Sequence, residues 1–334
     1  RKGGLRTRRY FDPAAVPPIR FCRDEDYLEA ARALMDEAVA ETVKGAARPA
    51  IMLSGGLDSQ AVAAQVMRQQ PEKPLLSYTS VPEAGWDGYT SRFRFGDERA
   101  HVEAFAALYP ALRPRFLECA GLSPQERQNA TFLLGGFPPR NVSNMVWLHE
   151  AHRAARQDGA DLLLVGTGGN ASFSFDGKGA YPGWVKRGQW AHLWRELAAL
   201  EDGESGMARR FAAHVLMPLL PLTWSDRIAA RRHGSGQEEP LSRTLINPEF
   251  AQAMQVQARM EAMMARPAYP YPPSTRALRS RLLLHGFAEG GDMMMMLESL
   301  HGLPTRDPTL YRPLVEFCMG IPDDQYLRTG QSRW

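Results

Sequence analysis

One segment, Ile51–Ser59, limits the fold more than any other part of the chain, because an apolar run stops at a Ser-Gly-Gly turn and a helical pattern follows. Two consecutive glycines let the backbone bend around an anion, and the helix start directs unpaired N–H groups and a positive dipole end at the same point. The hydroxyls of Ser54 and Ser59 add donors. Asp58 would repel a bare phosphate, which indicates a bridging Mg²⁺ ion. The segment therefore predicts a cradle for a Mg²⁺-bound pyrophosphate.

The turn differs from a P-loop of the GxxxxGKS/T type, because no Lys-Ser or Lys-Thr pair follows its glycines. The run Ser54-Gly55-Gly56-Leu57-Asp58-Ser59 instead resembles the SGGxDS loop of the ATP pyrophosphatases. That resemblance implies ATP and Mg²⁺ as cofactors. It also implies that the loop holds the β- and γ-phosphates while a carboxylate or amide oxygen attacks the α-phosphate.

Composition excludes several classes of protein. The 334 residues are 44% hydrophobic, which supports a sizeable core. The net charge of +3 gives no argument for nucleic acid as a partner, and no apolar run reaches the roughly 18 residues of a membrane span. The cysteines, Cys22, Cys119 and Cys318, are too widely spaced to indicate a disulfide framework or a cysteine metal site. Because no signal peptide pattern is present either, the expected location is a reducing cytoplasm.

Strand and helix patterns alternate in the first half of the chain. Helices are predicted over 24–43, 58–67 and 143–157, and strands over 50–53, 75–81, 117–120 and 161–165. This alternation is typical of an α/β fold with a mostly parallel, twisted sheet and helices on both faces. Ligands bind beyond the carboxyl ends of such strands, so the glycine-rich turns at 54–56 and 166–170 should face one crevice. From about Gln189 onward the strand pattern disappears, and a mostly helical C-terminal half is predicted.

Several ordered matches resemble the synthetase domain of the asparagine synthetases and their relatives, which include β-lactam synthetases and lasso-peptide macrolactam synthetases. The matching stretches are, in chain order, Arg9-Tyr10-Phe11-Asp12-Pro13, Ser54–Ser59, Asp97-Glu98-Arg99, Leu163 to Gly166, Arg306-Asp307-Pro308 and Leu314-Val315-Glu316-Phe317. The resemblance implies an adenine nucleotide α-hydrolase-like fold of the ATP-pyrophosphatase type.

The resemblance also implies a domain organisation. Residues 1–22 correspond to a linker that follows a glutaminase-like domain in the family, so that domain is expected to be missing here. Residues 23–188 correspond to the ATP-pyrophosphatase core, and residues 189–334 to a helical part of the same synthetase domain. That helical part is expected to be incomplete at its carboxyl end, where relatives carry a lysine that stabilises charge.

Residue by residue, the resemblance implies two groups of contacts. The pyrophosphate and Mg²⁺ would be held by Ser54, Gly55, Gly56, Asp58 and Ser59. The nucleotide would further be contacted by Leu53, Thr79, Ser80, Gly166 and Thr167. Asn170 stands at a position where the family binds Mg²⁺, so Asp58 and Asn170 are the predicted metal ligands.

The chain also departs from the family pattern. Where asparagine synthetases read G-E-G-S-D-E, this chain reads Gly166-Thr167-Gly168-Gly169-Asn170-Ala171, so Thr167 stands in place of a catalytic Glu and Asn170 in place of an Asp. An amide oxygen is a weaker Mg²⁺ ligand than a carboxylate, so metal binding should depend more on Asp58. The family's F-L-D is replaced by Thr309-Leu310-Tyr311. These changes argue against plain asparagine synthesis.

An amide-forming reaction also needs a base that removes a proton from the attacking amine. Glu289 and Asp292 are candidates, because they lie three residues apart on a predicted helix before Arg306-Asp307-Pro308. Either residue could equally be a solvated surface carboxylate.

Three functions remain open at the level of sequence. The first is an ATP-dependent ligase that adenylates a side-chain carboxylate and closes a macrolactam, as in lasso peptides, with a leader protease and a precursor-binding protein as partners. The aromatic segment Tyr181 to Trp194 favours such a larger substrate. The second is a glutamine-hydrolysing asparagine synthetase acting on an amino-acid carboxylate. The third is an inactive nucleotide-binding scaffold, which the intact first loop disfavours and Asn170 favours.

Overall fold

The computed structural model describes residues 8–90, 95–123, 125–136, 142–200, 206–220, 246–256, 258–259 and 274–333. The chain divides into two compact units. The first unit comprises Arg1–Phe175 and Arg279–Pro322, and the second comprises Asp176–Leu278 and Asp323–Trp334. Across the described ranges, no helix is both long enough and apolar enough to cross a membrane.

Helices and short strands alternate along the described chain. The strands are β1 Pro49–Met52, β2 Leu75–Ser80, β3 Leu112–Leu117, β4 Leu162–Leu164, β5 Thr305–Arg306, β6 Leu327–Arg328 and β7 Gln331–Ser332. The α-helices are α1 Asp24–Val43, α2 Leu57–Gln69, α3 Arg99–Ala107, α4 Gln128–Gly135, α5 Val142–Gln157, α6 Ala180–Lys186, α7 Trp190–Ala198, α8 Met207–Phe211, α9 Met217–Leu219, α10 Pro248–Ala253, α11 Thr275–Arg281, α12 Phe287–His301 and α13 Arg312–Gly320. Short 3₁₀ turns include Pro13–Ala15, Gly169–Ala171 and Pro308–Leu310.

The first unit is built on a five-stranded sheet in the order β3-β2-β1-β4-β5, in which every neighbouring pair is parallel. Ile51 on the central strand β1 pairs with Ser77 of β2 on one side and Leu164 of β4 on the other. The predicted α/β fold class with a parallel sheet is therefore confirmed. Strands β2 and β3 extend the sheet on one side of β1, whereas β4 and β5 extend it on the other. The gap between β1 and β4 is thus the topological switch point, where ligands bind in sheets of this kind.

Two strand predictions are wrong. The third strand spans Leu112–Leu117 and not 117–120. It gives no continuous apolar run in the sequence, because it is an edge strand whose Arg113 and Arg115 are exposed at alternate positions. Pro114 is compatible with such an edge position. The C-terminal half also contains strands, and β5 joins the parallel sheet beside β4. Its two residues are too few to give an apolar pattern in the sequence.

The two faces of the sheet bury alternate residues, as the period of a strand requires. Ile51 and Leu164 belong to one hydrophobic cluster with side chains from α1, α2 and α13. Ala50 and Leu163 belong to a second cluster, to which α5 contributes its small side chains Ala151, Ala154 and Ala155. Ile51, Leu163 and Leu164 are fully buried. This double-sided burial fixes where β1 and β4 end and therefore where their following loops begin.

The second unit has its own core. Tyr181 and Trp184 on α6 are buried together with Leu193 and Leu197 of α7. Strands β6 and β7 form an antiparallel pair, and the N–H of Gly330 in their turn donates to Oε2 of Glu196 (2.9 Å). Tyr181 and Trp184 are therefore core residues and cannot contact a substrate, whereas Trp190 and Trp194 of the same predicted segment are exposed.

Three histidines pack between α5 and the end of α12. Nδ1 of His149 lies 3.0 Å from Nε2 of His301, and Nε2 of His152 lies 2.9 Å from Oγ1 of Thr305. Burial lowers the pKa of His149 to about 4 and that of His301 to about 3, and it lowers the pKa of His152 as well. Nearby positive charges lower these pKa values further. Arg127 lowers the pKa of both His149 and His301, and Arg153 lowers that of His301. The negative charge of Glu298 acts against burial and raises the pKa of His152.

These shifts predict a pH-dependent stability. The unfolded chain binds protons on His149 and His301 near their ordinary pKa of 6.5, whereas in the folded chain the pKa of His149 is about 4 and that of His301 about 3. The contribution of the neutral, buried histidines to the free energy of unfolding is therefore fully present above about pH 6.5 and is lost as the pH falls toward 4. Urea unfolding of wild type and of a His149→Gln/His301→Gln variant at about pH 7 and pH 5 should show a smaller loss of unfolding free energy in the variant. An equal loss in both proteins would contradict the assignment.

Candidate functional site

The first glycine loop, residues 53–56, joins β1 to α2 and is shaped by its own hydrogen bonds. Ser59 Oγ accepts the N–H of Ser54 (3.0 Å) and lies 2.9 Å from Ser54 Oγ. Ser54 Oγ in turn accepts the N–H of Gly56 at 3.2 Å. The loop is therefore preformed at the N-terminus of α2, where backbone N–H groups and the helix dipole favour an anion.

One donor of this loop already binds a carboxylate. The N–H of Gly55 donates to Oε2 of Glu98 at 3.3 Å. Glu98 directly precedes α3, and His101 on that helix packs on Gly55, where a Cβ would lie 3.1 Å from His101 Cβ. The backbone of the turn thus donates a hydrogen bond to an anionic oxygen, and phosphate binding at the same donor remains a prediction.

The second glycine loop, residues 166–170, follows β4 and lies against the start of α2. A Cβ on Gly166 would lie 3.0 Å from the backbone of Asp58, and a Cβ on Gly169 would lie 2.3 Å from Asp58 Cγ. On the other side, a Cβ on Gly168 would lie 2.4 Å from the side chain of Leu310. A larger residue at any of these positions would require its neighbour to move, so the three glycines are explained by the close approach of the loop to Asp58 and Leu310.

Asp58 lies between the two glycine loops. Its Oδ1 atom is buried and has no hydrogen-bond partner, which is costly for a carboxylate unless a cation or donor approaches it. Among the residues that the structure describes, no three His, Cys, Asp or Glu side chains form a metal cage. Mg²⁺ commonly takes one or two carboxylates together with substrate phosphates and needs no such cage. Asp58 therefore fits a Mg²⁺ ion that arrives with a nucleotide.

Asp307, directly after β5, holds the second loop from its other side. Its Oδ2 accepts hydrogen bonds from Thr167 Oγ1 and from the N–H of Gly168, both at 2.8 Å. Its Oδ1 accepts the N–H of Thr309 (2.9 Å) and Thr309 Oγ1 (2.6 Å). Burial raises the pKa of Asp307, and these hydrogen bonds act in the opposite direction.

The end of the second loop is held by a buried arginine. Arg279 donates from Nη2 to the carbonyls of Ala171 (2.8 Å) and Ser172 (3.0 Å), and its guanidinium also bonds the carbonyl of Cys318. The same guanidinium lies over the ring of Phe175, 5.0 Å from its centroid. The loop is therefore fixed by a carboxylate at its start and by a cation at its end.

The structure brings most of the predicted site residues to one edge of the sheet. Thr79 and Ser80 end β2 beside the first loop, where Thr79 is buried with its Oγ1 unpartnered and Ser80 is exposed. Leu53 is buried in the core, which leaves its backbone as the part that could contact a ligand. Thr167 and Asn170 are both exposed in the second loop. Their roles as nucleotide, catalytic and metal contacts remain predictions.

The two predicted bases lie elsewhere in the chain. Glu289 and Asp292 are both on α12, and Asp292 is exposed. The side chain of Glu289 lies outside the described residues, so its role as a base remains a prediction.

Three residues with a place in the site, Glu98, Asp307 and Arg279, are not among the site residues predicted from the sequence. Glu98 and Asp307 belong to stretches that match the family pattern, Asp97-Glu98-Arg99 and Arg306-Asp307-Pro308, but their contacts with the glycine loops have no local sequence pattern. The signal for Asp307 was the pair Asp307-Pro308, because aspartate before proline is typical of a turn that the carboxylate caps.

The asparagine synthase family matches residues 30–334. No curated protein is significantly similar to the chain in sequence. Among solved structures, the U34-tRNA thiolase NcsA of Methanococcus maripaludis is 12% identical, with a TM-score of 0.31, covering 84% of this chain and 80% of the thiolase. The NH3-dependent NAD synthetase of Campylobacter jejuni is also 12% identical, with a TM-score of 0.27, covering 74% of this chain and 98% of the synthetase.

The family match spans most of the chain and includes both glycine loops, Asp58 and Asp307. The chain therefore belongs to the asparagine synthase family, whose members are ATP-dependent amide-forming ligases.

Proposed function

We propose that this protein uses ATP to activate a side-chain carboxylate of a peptide and then joins the acyl group to an amine, with release of AMP and pyrophosphate. The peptide amine would belong to the same molecule, so the product is a macrolactam of the lasso-peptide kind. One observation carries the proposal: the buried, unpartnered Oδ1 of Asp58 lies between two glycine loops at the switch point of the sheet.

The chemistry follows from the poor leaving group of a carboxylate. A carboxylate oxygen attacks the α-phosphorus of ATP, the bond to the bridging β-oxygen breaks, and the acyl group gains AMP as its leaving group. The N–H of Gly55 and the hydroxyls of Ser54 and Ser59 would bind the departing pyrophosphate, whose oxygens replace Glu98 at Gly55. Mg²⁺, when bound at Asp58, supplies further positive charge for that group.

The segment after β2 supports a peptide as the substrate. Trp86, Tyr89 and Phe95 are exposed there, between the carboxyl end of the strand and α3. The ring of Phe95 lies 4.3 Å from that of His101, which packs on Gly55 of the first loop. Exposed aromatic side chains beside the cradle suit the apolar parts of a peptide better than free aspartate.

The alternatives differ in what they require of the second loop. A glutamine-hydrolysing asparagine synthetase has carboxylates at the positions of Thr167 and Asn170, and this chain has none there. An inactive scaffold would not need glycines packed against an unpartnered Asp58 oxygen. The geometry therefore favours an active ligase with a substrate other than aspartate.

The close approach of the second loop predicts the effect of adding one methyl group. Gly169→Ala would place Cβ against the Asp58 carboxylate, so we expect at least roughly tenfold weaker binding of Mg²⁺ with a non-hydrolysable ATP analogue. Gly291→Ala is the matched control, because that glycine lies on α12 with open space around it. Calorimetric titration of both variants checks this. Wild-type affinity in Gly169→Ala would contradict the proposed position of the nucleotide.

A second prediction concerns the product. Incubation of the protein with ATP, Mg²⁺ and a leaderless peptide that carries an internal Asp or Glu should give a peptide lighter by one water. An amine held in the same molecule reacts at high effective molarity, so added ammonia should not compete. Mass spectrometry measures both outcomes. Asparagine formed from aspartate, with glutamine or ammonia and at a comparable rate, would instead establish the asparagine synthetase alternative.

A further inference from the structure

The two oxygens of the Asp307 carboxylate accept hydrogen bonds from two different parts of the chain. Oδ1 bonds its own turn, through the N–H and the hydroxyl of Thr309. Oδ2 bonds the second loop, through Thr167 Oγ1 and the N–H of Gly168. A turn cap needs the first pair of bonds alone, so the second pair calls for a separate explanation.

The chain contains a natural comparison for this turn. Asp12 also precedes a proline and caps a 3₁₀ turn, Pro13–Ala15, by accepting the N–H of Ala14 at 3.0 Å. Asp12 is exposed, and its Oδ1 accepts this hydrogen bond within its own turn. Asp307 performs the same capping at Pro308–Leu310 and in addition reaches across to the loop after β4.

The bonds to Oδ2 have a geometric consequence for Asp58. They fix Thr167 and Gly168, and the next residue, Gly169, is the one that lies against the Asp58 carboxylate. The loop has no room to shift toward Leu310, because Gly168 already lies against that side chain. The position of the second loop, and with it the space left for Asp58, is therefore set from the end of β5.

We infer that Asp307 is a positioning residue for nucleotide binding, which holds the second glycine loop so that Asp58 presents its free oxygen to Mg²⁺ and the phosphates. This inference rests on the proposed function, because it concerns the same ATP site. It assigns Thr167 a further part: its hydroxyl donates its hydrogen to Asp307 and so presents only lone pairs to other partners. Asp307 itself touches neither the nucleotide nor the substrate in this account.

The test uses four variants and one probe, a non-hydrolysable ATP analogue with Mg²⁺. Asp307→Asn keeps the shape but replaces one acceptor oxygen by a donor, so donors that bonded it lose their partner. Thr167→Val removes one donor, Thr167→Ser restores it, and Asp12→Asn makes the same replacement at the equivalent turn elsewhere in the chain. Affinity is measured by calorimetric titration, the Mg²⁺ requirement by titration at fixed nucleotide, and folding by thermal unfolding of the apoprotein.

We expect Asp307→Asn to bind the probe roughly tenfold more weakly and to need more Mg²⁺. Thr167→Val should show a smaller loss that Thr167→Ser recovers, and Asp12→Asn should bind like wild type. If Asp307→Asn does not fold, the variants Thr167→Val and Thr167→Ser test the inference instead. Binding of the probe by Thr167→Val with wild-type affinity would then overturn it. Equal binding by folded Asp307→Asn and wild type would also overturn it. A wild-type protein that does not bind the probe would instead refute the proposed function.

Discussion

The candidate site depends on one packing constraint, the close approach of the second glycine loop to the first turn of α2. Any side chain at Gly166 or Gly169 would meet the backbone or the carboxylate of Asp58. This approach brings the loops after β1 and β4 together at the switch point of the sheet. Because the Asp58 carboxylate is enclosed between them, its free oxygen is desolvated, and an electrostatic interaction with a cation is stronger there than in water.

The constraint is maintained by residues far away in the sequence. Asp307 bonds Thr167 across a separation of 140 residues, and Arg279 bonds Ala171 across 108 residues. Both come from the segment Arg279–Pro322, which returns to the first unit after the second unit. Strand β5 has only two residues, but its pairing with β4 places Asp307 beside the second loop. The C-terminal part of the chain thus contributes the supports of the site, whereas the loops themselves come from the N-terminal part.

Local patterns in the sequence were enough to predict the first loop and the parallel sheet. The features of Ser54–Ser59 are contiguous, and buried strands such as Leu162–Leu164 are continuous apolar runs. Edge strands escaped the same approach, because β3 carries exposed Arg113 and Arg115. The residues that hold the second loop could not be predicted either, since a hydrogen bond between Asp307 and Thr167, 140 residues apart, has no local sequence pattern. Likewise, the sequence does not distinguish exposed from buried aromatic residues, and the fold shows that Tyr181 and Trp184 lie in a core.

The most direct test of the central claim is the identity of the nucleotide products. If the first loop and Asp58 hold the β- and γ-phosphates, the α-phosphate is the group attacked, and phosphorus NMR during turnover should show AMP and pyrophosphate in equal amounts. Asp58→Asn should suppress their formation, because the uncharged amide is a weaker Mg²⁺ ligand. ADP and inorganic phosphate as the products of the wild-type enzyme would show attack on the γ-phosphate and would contradict this account of the site.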